Sequence, residues 1–161
     1  MESPRSLLLC LITIGLGTLI EGCDDGWVPY KNNCYWFSRG TDLVFHNAVN
    51  TCSDKGSHLI ELKNTSEEKW VLLQSLIRRY GHVWLGLTDV SREGRYVYSS
   101  TGVKPRYLNW HRTEPAGGKG ENCAVLVTTQ RVWHDYPCTS KMSYVCKKPE
   151  KRMDLNSNYC K

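Results

Sequence analysis

The hydrophobic positions fall into two helical stretches followed by several short apolar runs. Phe45, Ala48, Val49 and Cys52 recur at intervals of three and four, which predicts a helix over residues 43–54 with one face on a core. Gly56 ends it. A second helix opens at Asn64-Thr65-Ser66-Glu67-Glu68, where both Asn64 with Glu67 and Thr65 with Glu68 fit a capping box. Trp70, Leu73 and Ile77 follow, broadened by Val71, Leu72 and Leu76, and this stripe reads as core rather than as a partner surface. The helix ends before Gly81. An extended pair is expected over Trp27–Phe37, broken at Lys31-Asn32-Asn33, and a short strand at Leu59–Leu62. Further strands are expected at Val83–Leu87, Tyr96–Tyr98, Cys123–Val127, Arg131–Trp133 and Met142–Cys146. Between Ser99 and Glu121 the chain is rich in glycine, proline and charge. Two helices followed by several short strands indicate an α+β domain.

The amino terminus has a different texture. Leu7 to Ile20 is an apolar run interrupted only by small or weakly polar residues, with Arg5 before it and Gly22 after it. This reads as a secretory signal peptide over residues 1–22, with an uncleaved anchor as the alternative. The run is short for a bilayer span, which takes about 20 apolar residues. Stable membrane insertion is therefore not expected. Cleavage would remove Arg5, Glu2 and Glu21, leaving 20 basic against 14 acidic residues, a net charge of +6. The basic residues are scattered, so no nucleic-acid partner is expected. Eight cysteines lie at 10, 23, 34, 52, 123, 138, 146 and 160, and Cys10 would leave with the signal. In a secreted chain the rest form disulfides, one of them left over, and six paired cysteines admit 15 connectivities. Asn64-Thr65-Ser66 is a glycosylation sequon at a helix start, hence at the surface.

Candidate chemistry lies in the loop-rich half. Glu114, Glu121, Asn122 and Asp135 sit in or beside glycine-rich loops or next to a cysteine. Carboxylates brought together repel one another, and a hard cation such as calcium, which takes six to eight oxygen ligands, removes that penalty. The other reading is a solvated acidic rim. No nucleophile elbow or metalloprotease motif occurs, so no enzyme is expected.

Cys52, Trp84-Leu85-Gly86-Leu87, Glu114-Pro115, Glu121-Asn122-Cys123, Trp133-His134-Asp135, Cys138 and Cys146 follow in order. With this series the sequence resembles the C-type lectin-like domain family over about residues 23–148, leaving 149–161 as a polar tail without an evident fold. From Cys23 to Tyr35-Trp36-Phe37 it looks most like small secreted invertebrate members, including the mollusc perlucin-like proteins. The resemblance implies three bridges, Cys23–Cys34, Cys52–Cys146 and Cys123–Cys138. Cys160 is left over and reads as an interchain bond giving a homodimer, with a free or capped thiol as the alternative. The resemblance also implies a cofactor, Ca²⁺, and a sugar site formed by Glu114, Glu121, His134 and Asp135, after a cis Glu114–Pro115 bond. A second calcium site is implied at Asp89, Glu93 and Asn122.

The chain departs from the family at Ala116 and His134, where ligating amides are usual, and Gly117 offers no side chain to the second site. Ala116 neither ligates nor donates, and imidazole is a poor ligand for calcium. The implied function is a secreted, calcium-dependent carbohydrate-binding lectin with a preference toward mannose-like ligands, recognising microbial glycans in innate immunity. The alternative is a calcium-independent protein-binding or shell-matrix module with a degenerate sugar site. Tyr107 and Tyr136 are candidates for stacking on a sugar, with packing as the rival reading. His111 and His134 flank the site.

Overall fold

The computed structural model describes residues 19–40 and 42–153, which form two compact units. The smaller contains residues 19–34 and 149–153 of these. Here β1 (Leu19–Gly22) pairs antiparallel with β10 (Lys151–Met153), Leu19 opposite Met153 and Gly22 opposite Lys151. β2 (Val28–Tyr30) turns through Lys31, at φ 52°, into the first residues of β3 (Asn33–Phe37). The Cys23–Cys34 bridge closes this hairpin. An exposed ion pair joins Lys151 to Asp24 at 2.6 Å. Lys151–Met153, at the start of the expected tail, form β10 here, where β1 satisfies their backbone groups. Residues 1–18, Cys10 among them, and residues 154–161 with Cys160 lie outside the described residues. Cleavage after Gly22 would remove β1 and leave β10 without that partner.

The larger unit, Tyr35–Lys148, holds the core. β5 (His82–Thr88), β7 (Cys123–Val127), β8 (Val132–Tyr136) and β9 (Ser143–Pro149) build its sheet, in the order β3-β9-β5-β7-β8. β5 pairs parallel with β9 and antiparallel with β7, and β7 pairs antiparallel with β8. Short strands β4 (His58–Leu59) and β6 (Val97–Tyr98) join β9 and β5. Every residue of Val83–Leu87 and Cys123–Val127 is buried, as their unbroken apolar runs predict for central strands. Gly86 has a packing reason. A β-carbon there would lie 2.6 Å from the Leu59 carbonyl oxygen, and its N–H donates to Ile60 O at 2.6 Å.

Helix α1 (Phe45–Asp54) buries Phe45, Ala48 and Cys52, the face its periodicity predicts. Gly56, at φ 63°, ends it and donates to Ser53 O, the left-handed stop that glycine adopts without strain. Cys52 and Cys146, both fully buried, bond α1 to β9. The structure therefore has the α+β C-type lectin-like architecture, with two helices, a mixed sheet and disulfide bridges.

Helix α2 (Thr65–Ile77) corrects one expectation. Of the two capping boxes, Asn64 serves, its side chain accepting the Glu67 N–H at 3.0 Å, while Glu67 reaches back to the Lys63 N–H at 2.9 Å. The apolar stripe divides: Val71 is buried and Trp70 packs on Tyr35 and Phe37 at ring separations of 4.7 and 6.1 Å, but its carboxyl-terminal part is not core. Leu73, Leu76 and Ile77 are 55%, 43% and 66% exposed, whereas Glu67, Glu68, Val71 and Ser75 are buried. Partners beneath the helix set this face. Glu67 pairs with the buried Lys147 ammonium and accepts from the Tyr35 hydroxyl at 2.7 Å. Glu68 accepts from Trp133 Nε1 at 2.6 Å, from Asn109 Nδ2 at 3.1 Å and from the Tyr107 hydroxyl. Both acids lie in the first turn, where the helix dipole favours negative charge. Buried carboxylates require such partners, so their bonds outweigh the apolar stripe in fixing the helix rotation.

Candidate functional site

The long segment between β6 and β7 carries a single short helical element, the 3₁₀ turn Gly118–Gly120. It is nevertheless laid along β8. Trp133 N–H donates to Asn109 O at 2.8 Å and His111 N–H donates to Trp133 O at 2.9 Å. Trp110 packs edge-on between Tyr96 and Trp133, at ring separations of 4.8 and 5.9 Å. Glu68 holds Tyr107 and Asn109 from below. Tyr107 is thus committed to packing, and Tyr136 lies against His82 at 5.4 Å. Beyond β8 the Cys123–Cys138 bridge ties the end of the sheet.

The chain turns at His111–Glu114, and the Glu114–Pro115 bond is cis. The next two N–H groups, of Ala116 and Gly117, donate to Asp135 Oδ1 at 3.2 Å and Oδ2 at 2.9 Å. Asp135 is buried on β8. Burial alone would raise its pKa, but a hydrogen bond with Glu114 and the two N–H groups outweigh burial and hold it below its ordinary value. Glu114 moves the other way. Burial, then its hydrogen bond with Asp135 and the Asp135 charge, push it up to about 7. The pair thus keeps a proton up toward neutrality, where two separate carboxylates would both already be ionised.

His134, also on β8, turns Nδ1 toward Glu114 Oε1 at 3.3 Å and Nε2 toward Gln130 Oε1 at 2.8 Å. Its ring stacks on His111 at 5.1 Å. Burial first, and then His111, lower its pKa. Glu121 lies directly over Gly117, where a β-carbon would come within 2.0 Å of its Oε2. Position 117 therefore takes no side chain unless Glu121 moves.

The second group of predicted ligands lies beside β5. Asp89 N–H donates to Asn122 O at 3.2 Å, and Asn122 Nδ2 donates to Lys119 O at 3.1 Å. Asp89 is buried; its Oδ2 accepts the Gly94 N–H at 2.7 Å, while Oδ1 has no partner. Glu93 is exposed. Between the two groups stands Tyr96, whose hydroxyl donates to Glu121 O at 3.1 Å. Burial raises its pKa most, and the charges of Asp89, Asp135 and Glu93 raise it further.

The structure therefore brings Glu114, His134 and Asp135 together, seats Glu121 beside them over Gly117, and joins Asp89 to Asn122 through the backbone. Among the described residues, no group of three or more His, Cys, Asp or Glu side chains is placed to hold a metal ion as it stands. The donor chemistry nonetheless fits calcium. Asp89 Oδ1 is a buried carboxylate oxygen without a partner, and Glu114 beside Asp135 carries a repulsion that a cation would relieve. The residues that would hold it are Glu114, Glu121 and Asp135 at one position and Asp89, Glu93 and Asn122 at the other. Sequence reasoning missed Glu68 and Tyr96. Both are single residues whose partners lie far along the chain, and no local pattern marks them.

Comparison with known proteins agrees with this architecture. The family model for the lectin C-type domain matches residues 41–148. The chain belongs to the C-type lectin domain family. A perlucin-like protein of the mussel Mytilus galloprovincialis is 34% identical over 139 residues, covering 82% of this chain and 86% of that one. Human C-type lectin domain family 4 member D is also 34% identical, over 136 residues, 83% of this chain and 62% of that one. Among solved structures, the carbohydrate-recognition domain of mouse scavenger receptor C-type lectin superposes with a TM-score of 0.73 at 30% identity, covering 81% of this chain and all of that one. Domains of this fold are ligand-binding modules and typically not catalytic.

Proposed function

We propose that this chain is a secreted lectin that binds carbohydrate through calcium. The observation that carries the reading is the Glu114–Asp135 pair, two carboxylates brought together where the Ala116 and Gly117 N–H groups tether the loop after Pro115 to Asp135. The name of the similar mouse domain, a carbohydrate-recognition domain, supports it. Glu114, Glu121 and Asp135 would hold the calcium, which would supply a Lewis-acidic contact for sugar hydroxyls. The carboxylates accept hydrogen bonds from those hydroxyls, and the backbone N–H groups keep Asp135 ionised and oriented for both tasks. The Glu114-Pro115 start favours mannose-like ligands, and recognition of microbial glycans in innate immunity is the proposed use.

The other proposed features are a cleaved leader over residues 1–22, a glycan on Asn64, an invertebrate perlucin-like kinship and a disulfide-linked homodimer through Cys160. The Asn64 cap uses Oδ1, so a glycan on Nδ2 leaves it intact. Among the described residues no helix is long and apolar enough to cross a membrane. His134 favours a second reading, a protein-binding or matrix module, because its ring faces Glu114 where the family places an amide.

A glycan array probed in calcium and again in excess chelator separates the two. Signal lost in chelator supports the lectin; no signal from folded protein in either condition supports the module. The exposed Ala116 is expected to tolerate Asn, and Ala116→Asn should strengthen retention on mannose about tenfold by restoring an amide that both ligates and donates. Titration of wild type and variant with methyl α-mannoside in calcium measures this.

A further inference from the structure

A cleft of about 260 Å³ lies beside the Glu114–Asp135 pair and shares Pro115 with it. Its walls are Tyr96, Pro105, Leu108 and Trp110, and its cations are Arg95 and Lys104. Clefts that bury drug-sized ligands typically measure ~300–1,000 Å³. This one therefore suits a single ring with a substituent. Tyr96 and Trp110, in edge contact at 4.8 Å, form a wall that is fixed on both sides. Trp110 is braced by Trp133 and the Tyr96 hydroxyl by Glu121 O. Leu108 is 50% exposed, an apolar side chain left facing solvent beside this wall. Arg95 and Lys104 are exposed, and neither forms an ion pair among the described residues.

Aromatic and proline faces suit the C–H faces of a pyranose ring, and two cations without acidic partners suit an anionic substituent. A neutral acyl or alkyl group would use the walls and leave both charges unanswered. We propose that this cleft is a subsite for an acidic sugar residue, carrying a carboxylate or a sulfate, next along the glycan from the residue held at Glu114 and Asp135. The proposal rests on the carbohydrate-binding reading of that neighbouring site. Pro115, which follows Glu114 directly, lines the cleft and sets the two sites side by side.

The test has two arms. In chelator, the protein secreted from the full-length chain is titrated with methyl β-glucuronide and with methyl β-glucoside, following the Trp110 indole N–H by NMR. The glucuronide should shift it, and the glucoside should bind about tenfold more weakly, as two exposed charge pairs of middling strength would give. Arg95→Gln with Lys104→Gln should lower glucuronide binding to the glucoside level. Equal binding of both sugars by the wild type, no shift of Trp110, or undiminished glucuronide binding in the double variant would each overturn the subsite. In calcium, retention of methyl α-mannoside should be the same in wild type and double variant. Loss of that retention in the variant alone would show that the cleft is not a separate subsite, and so overturn it. A wild type that shifts with glucuronide but never retains mannoside would instead sink the calcium reading and leave the acidic-sugar cleft standing.

Discussion

Asp135→Ala is expected to abolish calcium-dependent retention on immobilised glycan, a loss of roughly a hundredfold or more in apparent affinity, with the fold intact. Truncating one member of a buried, hydrogen-bonded charged group costs ~2–5 kcal/mol of binding, which spans this change. The side chain is where the site converges. It accepts the Ala116 and Gly117 N–H groups and shares a hydrogen bond with Glu114. Without it the loop after Pro115 loses its tether to β8, and the proposed calcium site would lose a carboxylate. The backbone pairing of β8 does not depend on the side chain, since residue 135 meets Ala124 through main-chain groups. Glu114 would also be freed of the neighbour that helps raise its pKa. Near-UV circular dichroism should therefore match wild type while retention vanishes. Retention unchanged in a folded variant would remove Asp135 from the site.

The second large effect is on stability. Replacing Cys52 and Cys146 together by Ala should cost about 4–5 kcal/mol, because their bridge closes a loop of 94 residues in the unfolded chain. Alanine avoids leaving buried hydroxyls without partners at positions that are fully buried. The same treatment of Cys23 and Cys34, separated by 11 residues, should cost about 3 kcal/mol on the same entropic account. Denaturant unfolding of the two double variants measures both values. Equal small losses would mean that the unfolded chain is already compact, so that loop length no longer decides the effect.

The elements were legible where one local pattern decided them. The unbroken apolar runs at Val83–Leu87 and Cys123–Val127 gave central strands, and the spacing of Phe45, Ala48 and Cys52 gave α1 with its buried face. Helix α2 was legible in its extent and cap but not in its rotation. Its inward face depends on Lys147 and Trp133, 80 and 65 residues away from the acids they meet, and such partners leave no trace in local periodicity. The candidate ligands could be named from motif and resemblance. The stacking of His111 on His134, the turn of His134 toward Glu114 and the seat of Glu121 over Gly117 arise only when the long loop is laid on β8.

That long loop is clamped at two places, by Glu68 through Tyr107 and Asn109 on one flank and by the Cys123–Cys138 bridge on the other. The stretch from Arg112 to Gly120 between them supplies no side chain to the buried core. Its sequence is thereby released from the task of holding the domain together. Variation there, Ala116 included, is expected to change what the proposed site binds before it costs folding. A library randomised at the exposed positions 112, 113, 116 and 119 should yield mostly folded, secreted proteins that differ in what they bind, whereas changes at Glu68 should be lost at the folding step.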